Sequence, residues 1–303
     1  MSRSSTIQLE SVRLIQKMQL PESFVSIVNN IYLPLAEIII NKNQAEPLFI
    51  SINGAQGTGK STLTQFLKHL IEAESGLSVA AISLDDYYLT RAERIQLSKD
   101  VHPLFATRGV PGTHDLDLMT NTISALREKQ ACVIPRFDKA MDERCNDNMW
   151  TQYNSQPKKT VDIILFEGWC NHSPPQTDEE LIKPINKLEE LEDSSAIWRS
   201  YANDQLKNYQ QKIFNHADMS IMLKAPDFNC IYEWRNLQEE KLRKATSNNK
   251  NLQIMSKSDL NRFIQHYERI SRHTLKHLPT TADIVIPIFN DHSINEILIK
   301  QSS

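Results

Sequence analysis

The eight residues Gly54-Ala55-Gln56-Gly57-Thr58-Gly59-Lys60-Ser61 match G-x-x-x-x-G-K-[ST] at every fixed position. The apolar run Leu48-Phe49-Ile50-Ser51-Ile52 precedes them and reads as a buried strand. An amphipathic helix is predicted over residues 62–74, stopped near Gly76. Between a strand and a helix this octapeptide has a physical reading. Glycines let the backbone curl so that successive N–H groups point inward, and the helix N-terminus adds partial positive charge. Such a loop holds phosphate oxygens, and the chain must build an α/β framework around it.

Glycine is scarce elsewhere. The chain has 7 in 303 residues, against roughly 21 at average usage. Three lie in the loop, Gly109 and Gly112 lie in Arg108-Gly109-Val110-Pro111-Gly112-Thr113-His114-Asp115, and Gly168 follows an acid that closes a strand. Only Gly76 is plain helix punctuation.

Strands and helices alternate after the loop. Strands are predicted over residues 79–84, 131–134, 161–166 and 218–223, and a late one over 282–288, placed at an edge because Pro287 interrupts it. Thr90 and Glu93 have capping-box spacing, and Asp115 can cap a helix over 116–129. Near-continuous apolar strands separated by helices predict a parallel sheet covered on both faces. The first forty residues read as two helical pieces broken at Pro21. Val12, Ile15, Gln16 and Gln19 form one inward stripe, and Phe24, Ile27, Val28, Ile31 and Leu35 another.

Composition excludes several classes. With 34 Lys+Arg against 37 Asp+Glu, a net charge of −3, the chain lacks the basic balance of a general nucleic-acid binder. The four cysteines, Cys132, Cys145, Cys170 and Cys230, form no C-x-x-C pair and read as free thiols of a reducing compartment. The first twenty residues do not read as a signal peptide, and no run approaches about 18 apolar residues. A soluble, cytoplasmic, monomeric protein is expected, with a small-molecule partner and no nucleic-acid or membrane partner. Residues 178–193 carry seven acids against Lys183 and Lys187 and read as a solvated helix; residues 235–276 carry ten lysines and arginines against four acids and read as two long helices joined by a polar stretch.

In open α/β sheets, ligands bind at the carboxyl ends of the strands. After residues 79–84 come Asp85 and Asp86, of which one can act as base toward an acceptor hydroxyl and the other can orient metal or water. Their alternative reading is a capping or solvated pair. After residues 161–166 comes Glu167, in the position of a Walker-B carboxylate. Lys60 adds charge on the phosphates, and the Ser61 hydroxyl can ligate Mg²⁺ together with Glu167. Arg108 and Arg136 can each grip a carboxylate with a planar fork, or form a surface salt bridge. No N-K-x-D, D-x-x-G or ABC-type signature accompanies the loop. His273 and His277 stand at i, i+4 without the glutamate of H-E-x-x-H and read as helix-surface histidines.

The segments Ser83-Leu84-Asp85-Asp86-Tyr87-Tyr88-Leu89-Thr90, the Arg108 to Asp115 loop, Pro135-Arg136-Phe137-Asp138-Lys139 and Leu165-Phe166-Glu167-Gly168-Trp169, together with the phosphate loop, resemble D-glycerate 3-kinases of the plant and cyanobacterial type. These sit in the uridine kinase, phosphoribulokinase and pantothenate kinase superfamily of P-loop kinases. The resemblance covers roughly residues 48–289. It implies a P-loop kinase fold: a parallel five-stranded sheet flanked by helices on both faces, with a helical lid at about 226–257, an acidic insert at 176–195 and an N-terminal helical extension over 1–46 ahead of the kinase domain at 47–303. It implies Mg·ATP on Gly54, Ala55, Gln56, Gly57, Thr58, Gly59, Lys60, Ser61 and Thr62, with Asp85 as base, Glu167 as the Walker-B acid and Arg235, after Trp234, reaching the phosphates from the lid. Asp85, Asp86, Tyr88, Arg108, His114, Arg136 and Lys139 become candidates for holding an anionic acceptor such as D-glycerate. Phe137 and Ala140 stand where plant glycerate kinases have Tyr and Ser, and the acidic insert differs from the plant form. A nucleoside or pantothenate-like acceptor, and a nucleotide-binding regulatory protein without transfer, are the alternative readings.

Overall fold

The computed structural model describes residues 3–155, 160–245 and 257–300. Helices α1 (Arg3–Lys17), α2 (Phe24–Ile27) and α3 (Leu33–Lys42) lead into strand β1 (Leu48–Gly54) and helix α4 (Lys60–Ser75). Then follow β2 (Val79–Ser83), α5 (Arg91–Asp100) and α6 (Leu116–Arg127), and the short strands β3 (Cys132–Ile134), β4 (Phe137–Asp138), β5 (Glu143–Arg144) and β6 (Thr151–Tyr153). The second half contains β7 (Ile163–Gly168), α7 (Asp178–Ile182), α8 (Lys187–Glu192), α9 (Ile197–Lys212), β8 (Met219–Lys224), α10 (Phe228–Ala245), α11 (Lys257–His277), β9 (Ile284–Pro287) and β10 (Leu298–Ile299).

The central sheet has the order β10-β9-β8-β1-β7-β2. Five strands are parallel, and β10 closes the β9 edge antiparallel. The expected five-stranded parallel core is present, but β9 is not the edge: Leu298 and Ile299 pair with Val285 and Ile284. Pro287 is tolerated because it ends the strand, and the next N–H, that of Ile288, bonds the Lys224 carbonyl.

Period-two alternation sorts the two faces. Leu48, Ile50 and Ile52 of β1, with Ile163 and Leu165 of β7, pack under Leu63, Phe66, Leu67 and Leu70 of α4. Phe49 with Ile164 and Phe166 faces α6 and α9 through Met119, Ile123, Leu126, Leu206 and Tyr209. Both faces are covered, so these strands carry no polar stripe.

Residues Val28, Ile31, Leu35 and Ile39 enter the α4 side of the core, and the Phe24 and Tyr32 rings lie 5.6 and 5.7 Å from Phe66. A π-helical segment, Val28–Tyr32, interrupts this stretch just ahead of Pro34, which has no N–H to return to the preceding turn. The stripe expected at Val12, Gln16 and Gln19 is out of phase: these are exposed, and Ser11 and Ile15 are buried with Leu14 and Met18 against the core. Residues Phe24–Lys42 are also long and apolar enough, by length and composition, to cross a membrane (mean hydropathy 1.4), which corrects the expectation that no run approaches that limit. Here that helix spends one face on α4.

Strand β3 does not join the central sheet. It pairs antiparallel with β6, and β4 with β5, forming two ribbons beside the end of β2. Residues 135–139 therefore reach the site on a ribbon. The polar stretch expected between α10 and α11 lies outside the described residues. The acidic insert is two short helices, α7 and α8, and it is only partly solvated. Glu189 and Asp193 are fully buried, Glu189 bonded to the Arg269 guanidinium at 2.6 and 2.7 Å and Asp193 to Arg199 at 2.9 Å.

Candidate active site

Strand β1 ends at Gly54 and α4 starts at Lys60, so the octapeptide forms the turn between them. Gly57 has φ +83°, and a Cβ there would stand 2.8 Å from the Trp234 Cβ of α10. Only glycine meets both conditions. Inside the turn the Thr58 hydroxyl and the Lys60 ammonium both donate to the Ala55 carbonyl, at 2.8 and 3.1 Å. Enclosure in protein pulls the Lys60 pKa below the ordinary lysine value, opposed by the carboxylates of Glu167 and Asp85.

Glu167, at the end of β7, lies beside β1 in register, Ile52 opposite Glu167. Its carboxylate accepts a 2.8 Å hydrogen bond from the Ser61 hydroxyl. Two hard oxygen donors thus stand together at the first turn of α4. Asn53, the polar residue just before the loop, donates to the Asn171 carbonyl at 2.6 Å and ties the ends of β1 and β7 together.

The carboxylates after β2 have different partners. Asp85 takes the Tyr88 hydroxyl at 3.0 Å and the Lys139 ammonium at 2.5 Å. Burial alone raises its pKa, but the Lys139 and Lys60 ammoniums outweigh that, and the net shift is downward. Asp86 accepts the Phe137 backbone N–H at 3.1 Å and lies 3.6 Å from Arg136. Burial raises its pKa, opposed by the Phe137 N–H and Arg136. Asp85 is held ionised toward the phosphate loop, whereas Asp86 fastens the β4 ribbon to the end of β2.

A cavity of about 650 Å³ opens between these elements, lined among others by Ser61, Glu167, Asp85, Asp86, Arg136 and Lys139. Arg136 and Lys139 are its solvent-facing cations. The structure does not bring three expected acceptor ligands to this lining. Arg108 is engaged by Asp142 and the Lys139 carbonyl, with its guanidinium over the Phe137 ring. His114 is buried behind the stacked Tyr88 ring, its Nδ1 2.9 Å from the Tyr209 hydroxyl. Burial brings its pKa down to about 3, so it is neutral and cannot supply a cation for an anion. Tyr88 itself is buried, its hydroxyl donated to Asp85. Arg235, on α10 directly after Trp234, lies 6.0 Å from the Phe263 ring of α11.

Some supporting residues escaped the sequence reading. Arg94, 1% exposed, donates to the carbonyls of Leu89, Ala106 and Asp142. Arg144 bonds the Tyr88 carbonyl and the Asp115 carboxylate. Neither belongs to a motif, and apart from the Leu89 carbonyl their partners, the Ala106, Asp142 and Tyr88 carbonyls and the Asp115 carboxylate, lie twelve or more residues away. Asn53 carried a signal, as a polar residue ending an apolar strand.

The sequence matches the KAP family P-loop domain over residues 28–210. It is 32% identical over 235 residues to "Uncharacterized kinase mug58" of Schizosaccharomyces pombe, covering 75% of this chain and 80% of that one. It is 29% identical over 211 residues to "Probable ATP-dependent kinase TDA10" of Saccharomyces cerevisiae, covering 65% of this chain and 68% of that one. In fold it is similar to the D-glycerate 3-kinase of Cryptococcus neoformans var. grubii, with a TM-score of 0.70 over 89% of this chain and 97% of that one at 21% identity.

Proposed function

From the premise that this chain belongs to the KAP family of P-loop domains, we propose that it is an ATP-dependent kinase whose acceptor is a small anionic hydroxy acid, D-glycerate foremost. The observation that carries the reading is the placement of Asp85: an ionised carboxylate on the phosphate-loop side of a cavity whose exposed cations are Lys139 and Arg136. The named activity of the fold neighbour supports the choice of glycerate.

ATP would lie on residues 54–62, its phosphates held by the inward N–H groups, Lys60 and the N-terminus of α4. Ser61 and Glu167 suit Mg²⁺, which takes hard oxygen ligands and usually shares them with substrate phosphates. That ion would neutralise charge on the β- and γ-oxygens. Phosphoryl transfer needs positioning and charge compensation more than covalent chemistry. Lys60 and Arg235 supply positive charge around the transferred group. Asp85 accepts the proton of the attacking acceptor hydroxyl, and Tyr88 aims its carboxylate. Lys139 and Arg136 bind the acceptor's carboxylate. Closure of α10 over Gly57 would exclude water and limit hydrolysis.

A nucleoside acceptor finds little stacking surface here. Tyr87, Tyr88 and Phe105 are buried at 0–3% exposure. Phe137 lines the cavity but is already packed against Tyr88 and Arg108. The test is ADP release by the purified chain across hydroxy acids, nucleosides and pantothenate with Mg·ATP. Stimulation by D-glycerate above the rest supports the proposal; stimulation by a nucleoside or pantothenate alone, or by nothing, refutes it.

A further inference from the structure

The histidine pair on α11 and the acidic insert, which have no part in phosphoryl transfer, meet in space. We propose that Glu180 of α7 with His273 and His277 of α11 binds a divalent transition-metal cation, Zn²⁺ foremost, as a clamp between the acidic insert and α11. One ligand atom from each residue lies within 4.8 Å of the others. The His273 and His277 rings stand 4.3 Å apart on successive turns. His273 Nδ1 is 3.9 Å from Glu180 Oε1, too far for a hydrogen bond. Two ligands of one tetrahedral Zn²⁺, each about 2.1 Å from the ion, lie roughly 3.4 Å apart, so small side-chain adjustments close the set.

The ligands are oriented as metal ligands usually are. Glu180 is the N3 residue of a capping box, its Oε2 receiving the Thr177 N–H at 2.9 Å, which leaves Oε1 toward His273. The His273 side chain is largely enclosed, 10% exposed, with its Nδ1 on the side of Glu180. His277 Nε2 is enclosed and has no hydrogen-bond partner among the described residues. One turn before His273, Arg269 donates to the carbonyls of Glu180 and Lys183 and to Glu189, fixing α7 against α11 without metal. Two imidazoles and a carboxylate suit Zn²⁺ better than Mg²⁺, and three protein ligands leave a fourth position for water. The clamp stands apart from the acceptor cavity. It fixes the C-terminal end of α11, whose earlier turns carry Phe263 and Tyr267 beside Arg235 and Arg108.

The test is calorimetric titration of the EDTA-treated, dialysed full chain with Zn²⁺ in excess Mg²⁺, followed by thermal melting and by the absorption spectrum of the Co²⁺ form. One equivalent should bind, raise Tm and give Co²⁺ bands. The doubly substituted His273→Ala, His277→Ala chain should bind at least about tenfold more weakly and lose the Tm increment, Glu180→Gln should fall between, and His69→Ala should match the parent. Should the alanine chain fail to fold, His273→Asn with His277→Gln makes the same comparison. Absence of stoichiometric binding by the parent chain, or undiminished binding by the histidine variants, overturns the proposal.

Discussion

The Lys139 ammonium lies 2.5 Å from the Asp85 carboxylate and joins the ribbon loop to the end of β2. The pair connects the proposed acceptor grip to the proposed base. An acceptor carboxylate that draws Lys139 toward itself leaves Asp85 free to receive a proton. Because Lys139 is 60% exposed, the pair itself adds little to stability, and its effect falls on chemistry.

Substitution of Lys139 by Met therefore acts in two ways. The KM for the acceptor rises more than that for ATP. The Asp85 pKa, held down largely by Lys139, also rises. Since the base must be ionised, the acid limb of acceptor kcat/KM moves to higher pH. A pH–rate profile of Lys139→Met with an unmoved acid limb separates Asp85 from that limb.

Gly57→Ala forces a side chain onto a backbone with φ +83° and against Trp234. Strain of this kind costs on the order of 1–3 kcal/mol, so ATP affinity should fall by at least about fivefold. Titration with a fluorescent ATP analogue reads this directly; unchanged affinity places the nucleotide elsewhere.

Arg269 and Glu189 form a buried pair between α8 and α11. Arg269→Met leaves the Glu189 carboxylate without its partner, at a cost of about 3–5 kcal/mol, and should lower Tm by on the order of 10 °C. Adding Glu189→Met should recover much of the loss. Calorimetric melting of the two single variants and the double variant checks both statements.

His114 is neutral in the folded protein, with its pKa brought down to about 3, whereas unfolded it titrates near 6.5. Below pH 6.5 the unfolded chain takes up a proton that the folded one refuses, so the stability fully present above that pH is lost progressively toward pH 3. His114→Phe should flatten the fall of Tm between pH 6.5 and about 4. An identical slope in both proteins shows that His114 does not contribute.

The parts legible in the sequence were those whose signal is local. The phosphate loop is one run of eight consecutive residues, and the Thr90–Glu93 capping box and the Asp115 cap are set by residues three positions apart. The strands announced themselves because both faces of the sheet are covered. What escaped depends on distant partners. Asp85 and Asp86 are neighbours with the same chemistry, and only the ribbon that folds back from residues 136–139 gives them different partners. Arg108 and His114 read as anion ligands from their motif, but Asp142 and Tyr209, far along the chain, take them. The acidic insert read as solvated because Arg199 and Arg269, which bury Asp193 and Glu189, lie outside it. Strand β10 has two residues, too few for periodicity to show.

The central claim, that Asp85 takes the proton from an acceptor hydroxyl as it attacks ATP, is tested most directly by single-turnover phosphoryl transfer to D-glycerate in Asp85→Asn. The variant should bind ATP as the parent does and transfer at least about a hundredfold more slowly. Transfer at near-parental rate, with the phosphate on glycerate, would contradict the account.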